Sequence, residues 1–357
     1  MKITQVKTWS ENLKLTRPYT IAFHTFDSVE NVFVYLETED GSFGLGAGSP
    51  AEVITGESLE ACTAALEDNL EELLLGKDIR ALKEHTRNLE KVLSETPAAR
   101  AAIDIALHDI FAKYLGVPLV DFLGRAYDSL PTSITIGIQS VEGSLSDAEE
   151  YIAQGFRILK LKIGRSVAED VAMVRKLRER VGDHITIRVD ANQGYTIADL
   201  LKFVRETESQ ALEFIEQPLK GENRGGMLEA QEEVRTGCVA DESLHSPKDA
   251  LALASHPHPF GIFNIKLMKC GGIQPAMQIA EIARLAGIDL MWGCMDESRI
   301  SISAALHAAL ASPATRYLDL DGSFDLARDL ARGGFVLKDG FLSVTGEPGL
   351  GVTPLSR

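Results

Sequence analysis

Apolar positions in the first third of the chain alternate, then switch to helical spacing. Alternation predicts strands at 2–9, 17–23, 30–38 and 42–48, the last two joined by a tight turn at Glu39-Asp40-Gly41. Helical periodicity follows at 57–74, 79–94 and 98–115, the last including the amphipathic run AARAAIDIALHDIFAKYLG. This pattern predicts an α+β capping domain over residues 1–125, with Gly116-Val117-Pro118 and Leu130-Pro131 punctuating its end.

From Thr132 the pattern changes to short apolar runs separated by helices. Strands are predicted at 132–138, 157–163, 184–190, 212–216, 237–241, 260–266, 288–293 and 315–319. Helices are predicted between them at 145–155, 167–181, 196–208, 226–235, 247–256, 273–286 and 299–311. Such alternation reads as an α/β fold, a (β/α)8-type barrel modified to a (β/α)7β-like form, over 126–321. Residues 322–357 carry a hairpin turn at Lys338-Asp339-Gly340 and are expected to return to the cap.

The chemistry lies at the ends of the apolar runs. Lys160 and Lys162 end one run, Asp190, Glu216 and Asp241 the next three, and Lys266 the fifth. The steps from Lys162 through these residues are 28, 26, 25 and 25, the length of a strand, a helix and two loops. In an eight-stranded barrel, strands four apart stand opposite, so Lys162 and Lys266 should face each other across the mouth. Asp190, Glu216 and Asp241 should fill the arc between them. Carboxylates so close repel one another unless a cation intervenes, and an all-oxygen donor set suits Mg2+. A substrate carboxylate on that ion would present its α-carbon to an amine on each face. Deprotonation from one side and reprotonation from the other would give epimerisation. A base must be neutral, so the proximity of Lys160 to Lys162, and of the dication to Lys162 and Lys266, is expected to lower the amine pKa values.

Composition narrows the partners more than the fold. The net charge of −16 over 357 residues speaks against a nucleic-acid partner and favours cationic ligands. Cys62, Cys238, Cys270 and Cys294 form no metal-binding spacing, and reduced thiols are expected. The opening MKITQVKTWSENLKL reads as a strand, not a signal peptide, and no run suits a bilayer span. A cytoplasmic homo-oligomer acting on a small molecule, with no membrane partner, is expected.

Lys160-Leu-Lys162, DANQG at Asp190, IEQP at Glu216, ADES at Asp241 and NIKLMKCGG at Lys266 together resemble the enolase superfamily, muconate lactonizing enzyme subgroup. The resemblance runs over essentially the full chain. It implies catalytic roles for Lys162 and Lys266, and Mg2+ held by Asp190, Glu216 and Asp241. It also places Asn192 beside the metal carboxylates and Glu242 near the base on the sixth strand. Asp319-Leu-Asp321 is similar to the Asp-x-Asp motif of dipeptide epimerases, where the pair holds the substrate α-ammonium. Strand order agrees, because the eighth strand lies opposite the fourth.

Three positions depart from L-Ala-D/L-Glu epimerases. His24 stands where those enzymes carry arginine, Asp296 where an apolar residue is usual, and Glu52 lies in the cap loop. With Lys160, these are candidate substrate contacts, and acids in place of a base point to a cationic or polar dipeptide. Ala47 replaces the glutamate usual after GxG, for which a local change in cap packing is expected.

Other features read more plainly. His256-Pro-His258-Pro reads as a loop, not a metal pair, and Gly44, Gly46 and Gly48 precede no helix that would make a dinucleotide loop. Lys269 reads as structural. Competing functions are an o-succinylbenzoate synthase or muconate-type cycloisomerase, a Schiff-base aldolase using Lys266, and a non-catalytic binding protein; the Asp319/Asp321 pair disfavours the first two named.

Overall fold

The computed structural model describes residues 1–22 and 24–355; Phe23, at the end of a predicted strand, and the terminal Ser356 and Arg357 lie outside the described residues. An antiparallel sheet of Ile3–Asn12, Glu30–Thr38 and Phe43–Gly48, with the middle segment in the centre, forms the floor of the cap. Helices Leu59–Leu74, Leu82–Val92 and Pro97–Leu115 pack on it. The predicted strand at 17–23 shrinks to Tyr19–Thr20 paired with Thr25–Phe26. Pro18 just before it has no N–H to extend a ladder.

The last helix is buried almost all round, and the GLGAG strand explains how. A Cβ at Gly44, Gly46 or Gly48 would stand 2.3, 1.8 or 2.4 Å from the carbonyl oxygens of Ala106, Ala102 and Ala98 respectively. Glycines two apart on a strand meet alanines four apart on a helix, so backbone lies against backbone. Ala47 faces away from that contact and is itself fully buried.

Eight parallel strands follow in sequence order: Ile134–Ile136, Ile158–Lys162, Thr186–Asp190, Ile215–Glu216, Cys238–Ala240, Ile262–Ile265, Asp289–Gly293 and Thr315–Asp319. A bridge between Thr132 and Leu318, with Ser133 N–H donating to the Leu318 carbonyl at 3.1 Å, joins first to last. The helix predicted at 226–235 is instead two turns, Arg224–Met227 and Glu232–Thr236. The Gly225-Gly226 pair weakens any longer helix there. Beyond Asp321 the chain runs past the cap, where Leu326 bridges Leu15, and then forms a hairpin of Phe335–Lys338 and Phe341–Val344 that pairs with Ser129–Pro131. Among the described residues no helix is long and apolar enough to cross a membrane.

Two-residue periodicity stacks the barrel interior in layers. Phe214, Val239 and Met291 form a buried cluster with Ile262, against which the partly buried Tyr317 packs. Phe214, Val239, Met291 and Tyr317 sit two positions before Glu216, Asp241, Gly293 and Asp319 respectively. Arg188, two before Asp190, lies between the rings of Phe214 and Tyr317 at 5.0 and 5.3 Å and donates to Glu213 at 2.6 Å. The charged layer thus rests on a packed floor.

The glycine–helix contact is directly testable. Gly46→Ala is expected to destabilise the fold by about 3 kcal/mol, because the helix must shift to admit the methyl group. A fall in the denaturant midpoint at unchanged m-value would show it; an unchanged midpoint would refute the close packing.

Candidate active site

Parallel register brings the charged strand ends onto one rung: Lys162 pairs with Asp190, and Asp190 with Glu216. Asp241 follows the fifth strand and Lys266 the sixth. Lys162 donates to Asp190 Oδ2 at 2.7 Å and Lys266 to Asp241 Oδ2 at 2.7 Å. Between them Glu216 accepts from Asn264 Nδ2 at 2.7 Å and lies 2.7 Å from the Lys160 ammonium. The arc Lys162, Asp190, Glu216, Asp241, Lys266 thus follows strand order with an amine paired to the acid beside it at each end.

Lys160 is fully buried and also reaches Asp190 at 3.2 Å and Asp319 at 2.7 Å. Burial would lower its pKa, but Asp319, Glu216 and Asp190 outweigh that and raise it well above the lysine range. Lys266 is raised likewise, burial being overcome by Asp241 and Glu216. At these two positions the acids outweigh both burial and mutual repulsion; the expected depression supposed a dication among those acids, whose charge would act against them. Among the acids, burial alone would raise each. Lys162 and Lys160 hold Asp190 below its usual range, and Lys266 and Lys269 hold Asp241 far below. Glu216 is pushed up to about 8 by burial and the neighbouring Asp190 charge, and is the least compensated of the three.

Lys269, read as structural, is drawn in against the acids. Its ammonium is buried and donates to the Asp241 carboxylate, to the Asp241 carbonyl and to the Asn264 carbonyl. The signal was its place one helical turn past Lys266. Asn264, two before Lys266 on the same face of the strand, was missed. Asn192 N–H donates to Asp190 Oδ1 at 2.9 Å and its side chain to Glu242 at 3.3 Å, while Glu242 and Lys266 line the same cavity. Glu242 is pushed up to about 7 by burial and by Asp241 and Asp190.

Asp319 and Asp321 are both brought in, with different freedom. Asp319 accepts from Lys160 and, at 2.6 Å, from Ser133 Oγ. Asp321 accepts Thr135 N–H through Oδ2 at 2.7 Å, leaving Oδ1 in reach only of the Cys294 thiol at 3.8 Å among the described residues. Asp296 is brought in too, accepting from the Tyr19 hydroxyl at 2.7 Å. His24 is exposed, with its ring against Phe26, and Glu52 is exposed on the first turn of the short helix Glu52–Thr55; neither lines the cavity.

That cavity has two lobes. The smaller, of about 100 Å3, holds Asn192, Asp241, Glu242 and the cap residues Ile21, Phe26 and Ile54. The larger, of about 450 Å3, holds Lys160, Asp319, Asp321, Asp147 and Asp325. Lys162, Lys266, Tyr19 and Asp296 line both. The two lysines stand at the waist.

Over residues 3–124 the chain matches the family model of the mandelate racemase / muconate lactonizing enzyme N-terminal domain, and over 144–357 that of the enolase C-terminal domain-like family. An L-Lys-D/L-Arg epimerase of Desulforapulum autotrophicum is 55% identical over 352 residues, 99% of each chain. The solved dipeptide epimerase of Methylococcus capsulatus, complexed with Mg and L-Arg-D-Lys, is 54% identical with a TM-score of 0.97, covering 99% of this chain and 100% of that one. An L-Ala-D/L-Glu epimerase of Bacillus subtilis is 34% identical over 355 residues, covering 99% of this chain and 97% of its own. The chain belongs to the enolase superfamily. Within it, this chain falls with the dipeptide epimerases, and it is an isomerase.

Do the acids suit a hard divalent cation? Glu216 Oε2, Asn192 Oδ1 and Glu242 Oε2 are buried without a hydrogen bond, the Lys160 contact to Glu216 being an ion pair without hydrogen-bond directionality. The donor set is all oxygen, and Glu216, pushed up to about 8 by burial and Asp190, is the acid whose charge the amines compensate least. As they stand, no three acid, His or Cys side chains among the described residues are disposed to hold an ion. Lys162, Lys160 and Lys266 claim the carboxylate oxygens, and loading requires these contacts to loosen. The donors fit; the exchange of partners is the cost.

Calorimetric titration measures this. Glu216→Gln is expected to weaken Mg2+ binding by about tenfold or more, since it removes a charge and half the donor capacity. Unaltered affinity would exclude Glu216 from the ion.

Proposed function

We infer that this dipeptide epimerase acts, with Mg2+ as its cofactor, on dipeptides bearing cationic side chains, and inverts the α-carbon of the C-terminal residue by two-base proton transfer between Lys162 and Lys266. The observation that carries the reading is the waist. The lobe with Asp241, Asn192 and Glu242 takes the substrate carboxylate, and the lobe with Asp319 and Asp321 takes the α-ammonium. An α-carbon between them lies beside both lysines.

Bound Mg2+ supplies positive charge where negative charge develops on the substrate carboxylate, and it offsets the acids that raise the lysine pKa values. The rest falls to the chain. Asp190, Glu216 and Asp241 would hold the ion, and Asp321 Oδ1 remains free to accept from the α-ammonium. Asp319 is largely occupied in fixing Lys160, whose ammonium faces Glu216 and Asp190. One lysine takes the α-proton while the other returns a proton to the opposite face.

The cationic preference rests on the acids of the mouth. Asp147, Asp296, Asp319, Asp321 and Asp325 line the larger lobe. Lys160 is already paired with Asp319 and Glu216, and Arg17 with Glu150 at 3.1 Å and more distantly with Asp147 at 3.6 Å and Asp325 at 3.9 Å. This leaves Asp296 and Asp321 without a basic partner among the described residues. An L-Lys-D/L-Arg epimerase as a relative at 55% identity supports the same substrates here. Burial, against the Tyr19 hydrogen bond, pushes Asp296 up to about 7 with help from Asp321, Asp325 and Glu297.

Lys162→Ala and Lys266→Ala are each expected to lower epimerisation by about 1,000-fold. In D2O each variant should still exchange the α-proton of one epimer, read by mass spectrometry. Full activity in either would contradict two-base transfer. Ionisation of Asp296 favours a substrate cation, so the ratio of kcat/KM for Lys- or Arg-containing over neutral dipeptides should rise with pH through about 7. A flat ratio, or a preference for Ala-Glu, would overturn the specificity.

A further inference from the structure

We infer that Tyr19 is a positioning residue for substrate charge: its hydroxyl holds Asp296 so that the carboxylate's other oxygen is turned to the cationic side chain of a bound dipeptide. This rests on the cationic reading above and adds a residue to it.

The two partners come from different domains. Tyr19 lies in the cap segment between the first two cap strands, and Asp296 in the loop after the seventh barrel strand. The hydroxyl donates to Oδ2 at 2.7 Å, whereas Oδ1 accepts no hydrogen bond among the described residues. Both residues line both lobes, beside Lys162 and Lys266. The pair therefore sits at the waist, where a substrate side chain leaves its α-carbon.

Each partner is anchored independently of the other. The Tyr19 ring stacks on Phe26 at 5.3 Å, the Thr20 carbonyl accepts Ile138 N–H at 2.7 Å, and Arg17 is tied to Glu150. On the barrel side, Ser49 Oγ donates to the Asp296 carbonyl at 2.9 Å, and Glu297 accepts Met295 N–H at 2.9 Å. With both backbones held, one hydroxyl decides which carboxylate oxygen remains for a ligand. A free carboxylate would turn about its last bond and offer either oxygen; the hydrogen bond removes that freedom before the substrate arrives.

The charged surroundings make the hydroxyl matter twice. Asp321 and Asp325 from the segment after the eighth strand, and the adjacent Glu297, act against ionisation of Asp296. Lys162, Lys266 and the Cys294 thiol share the lobe walls. The Tyr19 hydrogen bond opposes the acids and favours the charged form.

The test compares Arg- with citrulline-containing dipeptides, equal in size and different in charge. In wild type, kcat/KM favours Arg. Tyr19→Phe is expected to cut that ratio about tenfold, mainly through KM, with citrulline turnover within about twofold. The pH midpoint of the ratio should move up by about one unit. Asp296→Asn should abolish the preference, and Tyr19→Phe should add nothing in that background. Should the phenylalanine variant prove unstable, 3,5-difluorotyrosine at position 19, a stronger donor of similar shape, should move the midpoint down. Equal losses on both dipeptides, or an unchanged ratio and midpoint in a folded variant, would overturn the role of Tyr19. A wild type indifferent to Arg against citrulline overturns the cationic reading itself, and shows it before any variant is made.

Discussion

Three carboxylates buried side by side at a barrel mouth cannot all remain charged unaided, and the site is organised around that repulsion. Each acid has an ammonium against it: Lys162 on Asp190, Lys160 on Glu216, Lys266 and Lys269 on Asp241. The amines assigned to acid–base work are thus part of what makes the acids tolerable. Such an arrangement cannot have its lysines neutral while they carry the whole compensation. Asp190, Glu216 and Asp241 would hold a dication whose charge would share that duty and favour the neutral form of the amines. Cofactor and base are coupled through one charge balance, and substrate carboxylate joins the same balance.

The cap contributes to this balance although it supplies none of the metal acids. Its long helix, seated on the glycine strand, reaches the turn just after Lys266 and Lys269. Arg100 donates to the Cys270 carbonyl at 2.8 Å, and Asp104 accepts Ile273 N–H at 2.6 Å. Gly272, at φ +114, leaves no room for a Cβ, which would lie 2.5 Å from Asp104. A shift of the helix would therefore move the turn that carries the strand-six lysines. The backbone-to-backbone contact at Gly44, Gly46 and Gly48 keeps that distance short and fixed.

Strand number, order and the charged rung were legible because burial forces a period of two, and barrel geometry repeats at near-constant intervals. Lys162, Asp190, Glu216, Asp241 and Lys266 stood out because each breaks an apolar run where solvent alone does not explain a charge. Lys269 and Asn264 did not stand out, since their roles depend on helical and pleat neighbours that only three-dimensional register reveals. Sequence showed the lysine adjacent to Lys160 but not how closely Asp190, Glu216 and Asp319 would pack around it. His24 and Glu52 illustrate the weakest inference, from loop position to cavity wall. Both are exposed, whereas the neighbouring Phe26 and Ile54 line the smaller lobe. The hydroxyl of Tyr19 lay inside a segment read as an ordinary strand, with nothing in spacing to tie it to Asp296.

Chemistry and specificity are consequently built from different materials. The rung of acids and lysines is dictated by the barrel and would serve any carboxylate-bearing substrate with an acidic α-proton. On the reading proposed above, the choice of substrate would lie in residues that the rung does not need. Asp296 is the clearest case, because a half-buried acid near other acids is poorly ionised by itself, with its pKa at about 7. A guanidinium or ammonium arriving beside it reverses that penalty, so binding and ionisation reinforce one another. A glutamate side chain in the same place would deepen it. The acids gathered at the mouth would thus favour a cationic side chain over a neutral or acidic one, provided its reach brings it to Asp296.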